Sequence, residues 1–123
     1  NIDDLLGEGS DVAGVRLWTL RAPDGTDGKQ LRDIALTGIR KARSDVPAAV
    51  LAAAVDNGRV SVIASVNAAA QEQGLYANDL LGAALPSVEG RGGGKRDTAQ
   101  GGGANPDGIP AAFAAAQAHV RDH

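Results

Sequence analysis

Between Gly90 and Gly103 the chain reads Gly-Arg-Gly-Gly-Gly-Lys-Arg-Asp-Thr-Ala-Gln-Gly-Gly-Gly, two glycine clusters around the cations Lys95 and Arg96, with Arg91 inside the first cluster. Glycine tolerates positive φ and leaves its amide N–H uncovered, so a phosphate can approach the main chain with no side chain in the way. A lysine or arginine beside such a cradle supplies the charge. The familiar nucleotide patterns do not fit. A P-loop needs Ser or Thr after Gly94-Lys95 and meets Arg96, and a GxGxxG begun at Gly90 and Gly92 would need glycine where Lys95 stands. ATP and NAD are therefore not the expected ligands. From these residues alone, a structural or mobile glycine loop and a loop contacting an anion or an RNA backbone stand level.

Other candidates carry less. His119 and His123 are spaced as a zinc pair on a helix could be, but Val120 replaces the glutamate of HExxH, and a solvated helix end is the expectation. The absence of cysteine rules out disulfides, thiol catalysis and thiolate metal sites. No pairing of carboxylates implies acid–base work, and no Ser/His/Asp constellation can be assembled from spacing. Neither metal nor cofactor is expected. Trp18 could stack on a base, but its place in a strand pattern predicts packing under a neighbouring helix.

These groups need a scaffold, and 123 residues with 43% hydrophobic and 22% charged content suit one compact domain. Aromatic residues make up 2%, so the core must come from Ala, Val, Leu and Ile, and recognition by base stacking is nearly excluded. A net charge of −3 repels nucleic acid and acidic membranes unless a local basic patch reverses the field. No apolar run approaches the roughly 20 residues of a membrane span, and Asn1-Ile2-Asp3-Asp4 does not resemble a signal peptide, so a soluble domain is expected; the lack of cysteine is compatible with a reducing compartment such as the cytoplasm. The lack of methionine predicts a piece of a longer chain.

Residues 1–11 are acidic and glycine-punctuated and read as an upstream connection, with a helical turn at Leu5-Leu6; residues 12–123 read as the domain. Alternation over Val12 to Leu20 predicts a strand with both faces partly covered. Asp27 is placed to cap a helix over Lys29 to Arg43, whose Leu31, Ile34, Ala35, Gly38 and Ala42 recur at helical spacing. Arg40, Lys41 and Arg43 gather at its C-terminal end, where the helix dipole favours cations; they could also extend an RNA-contacting surface. The apolar run Pro47 to Val55, the turn Asp56-Asn57-Gly58 and the alternating Arg59 to Val66 predict a hairpin. A short helix or turn over Asn67 to Gln73, a helix over Leu75 to Leu85 stopped by Pro86, and a last helix from Pro110 to Val120 complete the chain. A helix between the first strand and the hairpin predicts a crossover followed by antiparallel pairing. The fold class is α/β, a two-layer domain with a mixed β-sheet packed against helices.

The run Gly90 to Gly103 resembles the glycine-rich signature of the DHH-associated domain, in the form found at the C-terminus of alanyl-tRNA synthetases. The triple glycine, the basic residue after it, the Asp two positions on, the Ala-Gln pair and the second glycine cluster occur in that order. The likeness extends from the first strand near Val12 to the last helix ending near Val120. It implies a non-catalytic module that holds the elbow of the L-shaped tRNA and links the aminoacylation and editing modules of an alanine–tRNA ligase. The partners it implies are an alanine-accepting tRNA and the parent's other domains. The family's glycine loop and adjoining positions map onto Gly92, Gly93, Gly94, Lys95, Gln100, Gly101 and Gly102, with Arg91 and Arg96 as phosphate contacts. Glu89 stands where the family often has another glycine. Lys95 stands where Arg or His is commoner, a point charge in place of a planar fork.

Two further functions are compatible with the resemblance. The same domain type grips substrate in DHH-family phosphoesterases, where a histidine tends to follow the triple glycine; Lys95 there favours the synthetase form. Some relatives dimerise through this region, and the alanine-rich faces of Ala111 to Ala118 could pack on a second copy. A few phosphate contacts on a negatively charged domain predict weak, salt-sensitive RNA binding, on the order of micromolar or worse. A tether to other RNA-binding modules makes such a grip useful through effective concentration.

Overall fold

The computed structural model describes residues 2–123; Asn1, in the segment read as an upstream connection, lies outside the described residues. Helix α1 (Ile2–Leu6) leads into the strands β1 (Ser10–Val12) and β2 (Val15–Arg21). Helix α2 (Gly28–Lys41) connects β2 to β3 (Ala48–Asp56), which turns directly into β4 (Arg59–Val66). Helices α3 (Ala68–Glu72) and α4 (Ala77–Ala84) follow, then a 3₁₀ turn over Leu85–Val88. The chain closes with β5 (Gly90–Gly94), β6 (Thr98–Gly103) and α5 (Ile109–Asp122).

The strands form one six-stranded sheet in the order β1-β2-β3-β4-β6-β5. Only β2 and β3 run parallel, joined by the α2 crossover; every other neighbouring pair is antiparallel. The expected α/β fold with a mixed sheet is what the chain adopts. In β3 the register is dominated by alanine, and Ala48 to Ala54 are all buried. Small side chains on both faces of this central strand let helices approach from both sides without aromatic filling. On one face Leu20, Val50, Ala52 and Ile63 meet Leu31 and Ala35 of α2. On the other, Val15, Leu17, Leu51 and Val62 meet Leu80 and Leu81 of α4 and Ala112 and Ala116 of α5. Truncating a buried leucine such as Leu31 to alanine costs about 2–5 kcal/mol at sites of this kind.

Local signals set the element ends. The Asp27 carboxylate accepts from the Gln30 backbone N–H at 2.8 Å while the Gln30 side chain accepts from the Asp27 N–H at 3.0 Å, a reciprocal cap on α2. Asn57 and Gly58 sit at φ 52° and 77°, the two positive angles that a tight two-residue hairpin turn demands. Asn67 caps α3 and also ties it to the sheet. Its Oδ1 accepts from Ala70 N and Ala48 N, both at 3.0 Å, and its Nδ2 donates to Val46 O at 2.8 Å.

Three expectations are corrected. The single strand expected over Val12 to Leu20 is split: β1 ends at Val12 and β2 begins at Val15, because Ala13 (φ 51°) and Gly14 (φ 84°) turn the chain between them. The helix expected over Leu75 to Leu85 is α4, which starts later, at Ala77 after a Tyr76 cap position, and ends at Ala84 ahead of Pro86; a 3₁₀ turn over Leu85–Val88 then continues its path. The glycine-rich segment is not a loop: residues 90–94 and 98–103 are paired strands at the edge of the sheet. Trp18 does pack as expected. Its indole N–H donates to Gly7 O at 3.4 Å and its ring lies against the α2-side core.

Candidate nucleic-acid interface

The β5–β6 hairpin is held in place by β4, whose Val60 to Ser65 pair with Gly103 to Thr98. Beyond it β5 has no neighbour, and Arg91 to Gly94 are exposed. Residues opposite one another in an antiparallel pair share a face. Ala99 is buried in the core beneath α4, so its partner Gly94, with Gly92, Gly101, Gly90 and Gly103, belongs to that side. Gln100 reaches the other way, donating from Nε2 to Gly28 O at 2.7 Å at the start of α2. Its partner Gly93, and the pair Arg91 and Gly102, therefore lie on the α2 side.

This alternation separates glycines the fold requires from one it does not. A Cβ on Gly94 would lie 2.6 Å from the Cα of Ala99, one on Gly101 2.6 Å from the carbonyl oxygen of Arg91, and one on Gly90 2.8 Å from that of Gly102. Gly92 and Gly103 are blocked in the same way by the backbones of Gly101 and Val88. At Gly93 the same Cβ would meet nothing within 4 Å. Glu89, just before the hairpin, sits at φ 53°, the left-handed region that favours glycine.

The hairpin tip is tied down by backbone hydrogen bonds. Lys95 N donates to Thr98 O at 2.9 Å, Val66 N to Asp97 O at 3.0 Å and Ala77 N to Arg96 O at 2.7 Å. The Arg96 guanidinium lies 4.4 Å from the centroid of the Tyr76 ring. That cation–π contact, about 0.5–1 kcal/mol at an exposed site, holds Arg96 towards α4.

A cleft of about 300 Å³ opens between the hairpin and α2, lined by Gly93, Gly94, Lys95 and residues 97–100, and on the helix side by Arg32. Of the expected site residues, the cleft brings together Gly93, Gly94, Lys95 and Gln100. Arg91 and Gly102 lie further along the same face, Gly92 and Gly101 point their missing side chains at the opposite face, and Arg96 is engaged with Tyr76. Arg32 was not among the expected residues. Its signal was helical spacing: it stands one turn after Gly28, on the face that Gln100 anchors. Among the described residues no carboxylate pairs with Arg32, Arg91 or Lys95, and Asp97 supplies the cleft's one negative charge.

The other candidates separate from this cleft. At the far end of α2, Arg43 donates to Asp45 through Nε at 3.1 Å and Nη2 at 2.8 Å. That hydrogen-bonded pair pushes the Arg43 pKa up and holds the Asp45 carboxyl below its ordinary value. A wider groove of about 590 Å³ between α1 and α2 is lined by Leu5, Pro23, Thr26 and Ile34 with Asp4 and Asp33, and among the described residues no basic side chain lines it. It is electrostatically wrong for an anion. The His123 ring lies against the Val120 carbonyl, and among the described residues no three of His, Cys, Asp and Glu gather as a metal site would require. No helix among the described residues is long and apolar enough to cross a membrane.

A sequence model of the DHHA1 domain matches residues 12–122. The chain is 48% identical over 113 residues to an alanine–tRNA ligase of Saccharopolyspora erythraea, covering 91% of this chain and 12% of that protein. It is 42% identical over 118 residues to an alanine–tRNA ligase of Nocardia farcinica, covering 96% and 13%. The chain thus spans about one eighth of the length of these relatives. Among solved structures, the C-Ala domain of alanyl-tRNA synthetase from Aquifex aeolicus superposes with a TM-score of 0.82 at 20% identity, covering 91% of this chain and 96% of that one. RecJ from Thermus thermophilus, in complex with manganese, superposes with a TM-score of 0.58 at 19% identity, covering 99% and 16%. At these identities the two structures show a shared fold.

Proposed function

The chain belongs to the DHHA1 domain family, and we propose that it serves as the tRNA-holding module of an alanine–tRNA ligase, gripping the elbow of the tRNA so that one bound molecule serves both aminoacylation and editing. The observation that carries this reading is Gly93. Gly90, Gly92, Gly94, Gly101 and Gly103 are closed off by neighbouring main-chain atoms and a Cβ on Gly102 would lie 3.2 Å from the Val60 carbonyl oxygen, whereas Gly93 opens bare main chain on the face where Arg91 and Lys95 stand uncompensated. A sugar–phosphate strand laid along that face meets amide groups without obstruction and two cations at its flanks. On this reading the segment contributes no catalytic residue and needs no cofactor or metal, and it works in the cytoplasm beside the parent's other domains.

The two ligases that align over most of this chain support the parent, and the basic, glycine-lined edge supports the ligand. Few cations are involved, and the net charge of −3 opposes them, so affinity for RNA should be modest and fall steeply with salt. Titrating the chain with transfer RNA at low salt, against Arg91→Ala/Lys95→Ala, tests the reading. Weakened binding with an unchanged melting profile is expected. Equal binding by the two proteins, or a preference for a short single-stranded oligonucleotide over transfer RNA, would overturn it.

A further inference from the structure

Arg32 lies on the helix side of the cleft, across from the glycine strand and the lysine at its tip. Gln100 bonds the carbonyl of Gly28, fixing the start of α2 against β6, and Arg32 follows one helical turn later on the same side. The helix interior is already satisfied by Leu31, Ala35 and Gly38, so the exposed Arg32 is not needed to fill the core. Nor does it neutralise a carboxylate: among the described residues it has no ion-pair partner. An arginine held at the rim of a polar cleft, facing a lysine and open backbone, has the reach and planar fork to take a phosphate oxygen pair.

We propose that Arg32 is a further phosphate-gripping residue, so that one strand of RNA is held between two walls, the hairpin with Gly93 and Lys95 on one side and α2 with Arg32 on the other. This rests on the RNA-holding reading given above. The two cations outnumber the single carboxylate, Asp97, that shares the cleft, and the Gln100–Gly28 hydrogen bond sets the spacing of the walls. The arrangement favours a strand that enters edgewise over a flat surface contact, because only then do both walls touch it.

The experiment is a salt series of transfer RNA titrations on the 123-residue chain, its Arg32→Ala and Arg32→Lys variants, and Arg121→Ala as a control for the loss of any one surface charge. Arg32→Ala should weaken binding about three- to tenfold at low salt and lower the slope of log K against log salt by about one. Arg32→Lys should keep the slope while losing part of the affinity, since charge remains and the fork does not. Arg121→Ala should bind as wild type. If Arg32→Ala matches wild type, or weakens binding no more than Arg121→Ala, the second wall is overturned while the hairpin's role stands. If wild type itself fails to bind transfer RNA, the underlying reading falls together with the proposal that rests on it.

Discussion

The side chain of Gln100 donates a 2.7 Å hydrogen bond to the carbonyl oxygen of Gly28, joining residues 72 apart in sequence. It fastens the edge hairpin to the first turn of α2, the two elements that line the cleft. A part-buried hydrogen bond of this kind contributes about 0.5–1.5 kcal/mol. Gln100→Ala should cost about that much, and its larger effect should be local. Hydrogen exchange at residues 98–103 should accelerate well beyond that at β3, and equal protection in wild type and variant would contradict the fastening role.

Gly93→Ala separates the needs of folding from those of binding. No neighbour opposes a Cβ there, and alanine restricts the unfolded chain more than glycine does, so stability should rise by about 0.5 kcal/mol. Transfer RNA binding should nevertheless weaken, because a methyl group would stand on the open backbone. A variant that is both more stable and equally good at binding would remove the argument from Gly93.

Gly92→Ala should behave in the opposite way. Its Cβ would run into the Cα of Gly101 and lie 2.5 Å from the carbonyl oxygen of Gln100, both main-chain atoms that cannot swing aside. Thermal unfolding should show a loss of about 1–3 kcal/mol. A neutral result would mean the two strands can separate at no cost.

Asn67→Ala removes the cap of α3 and the hydrogen bond that the buried Ala48 N–H donates, along with the bond to Val46. An orphaned buried donor plus a lost cap predicts about 2–3 kcal/mol of destabilisation by denaturant titration. Asn67→Asp keeps the acceptor and should cost less.

The Asp45 carboxyl, held low by Arg43, stays ionised in the folded chain at pH values where it would be protonated in the unfolded one. The pair's contribution is therefore present above the ordinary carboxylate range and is lost as pH falls through the lowered folded value. A carbon-detected NMR titration should place Asp45 below the usual range, and Arg43→Ala should return it upward. Because Arg43 is committed to Asp45, the same variant should leave transfer RNA binding close to wild type.

Local chemistry was legible wherever a few adjacent residues decide the backbone. Asp27 with Gln30 caps a helix whatever surrounds it, Asn57-Gly58 closes a hairpin because both positions accept positive φ, and the apolar period of α2 follows from its 3.6-residue turn. The strand β5 offered no such signal. Glycine has a poor intrinsic strand preference and no side chain with which to alternate, so Gly90 to Gly94 read as a loop, structural or anion-contacting, and not as a strand.

Its pairing comes from β6, which β4 orders in turn, and from backbones that approach closely because no Cβ intervenes. The cleft has the same origin. Glycines and cations late in the chain marked one wall, as composition could reveal, while Arg32 becomes part of the other only because the sheet order carries residues 90–103 past β4 to the side of α2. Propensity and capping act over a few residues and are written into the chain; which distant surfaces face each other depends on how the sheet buries its apolar faces, and that is settled by packing of the whole domain.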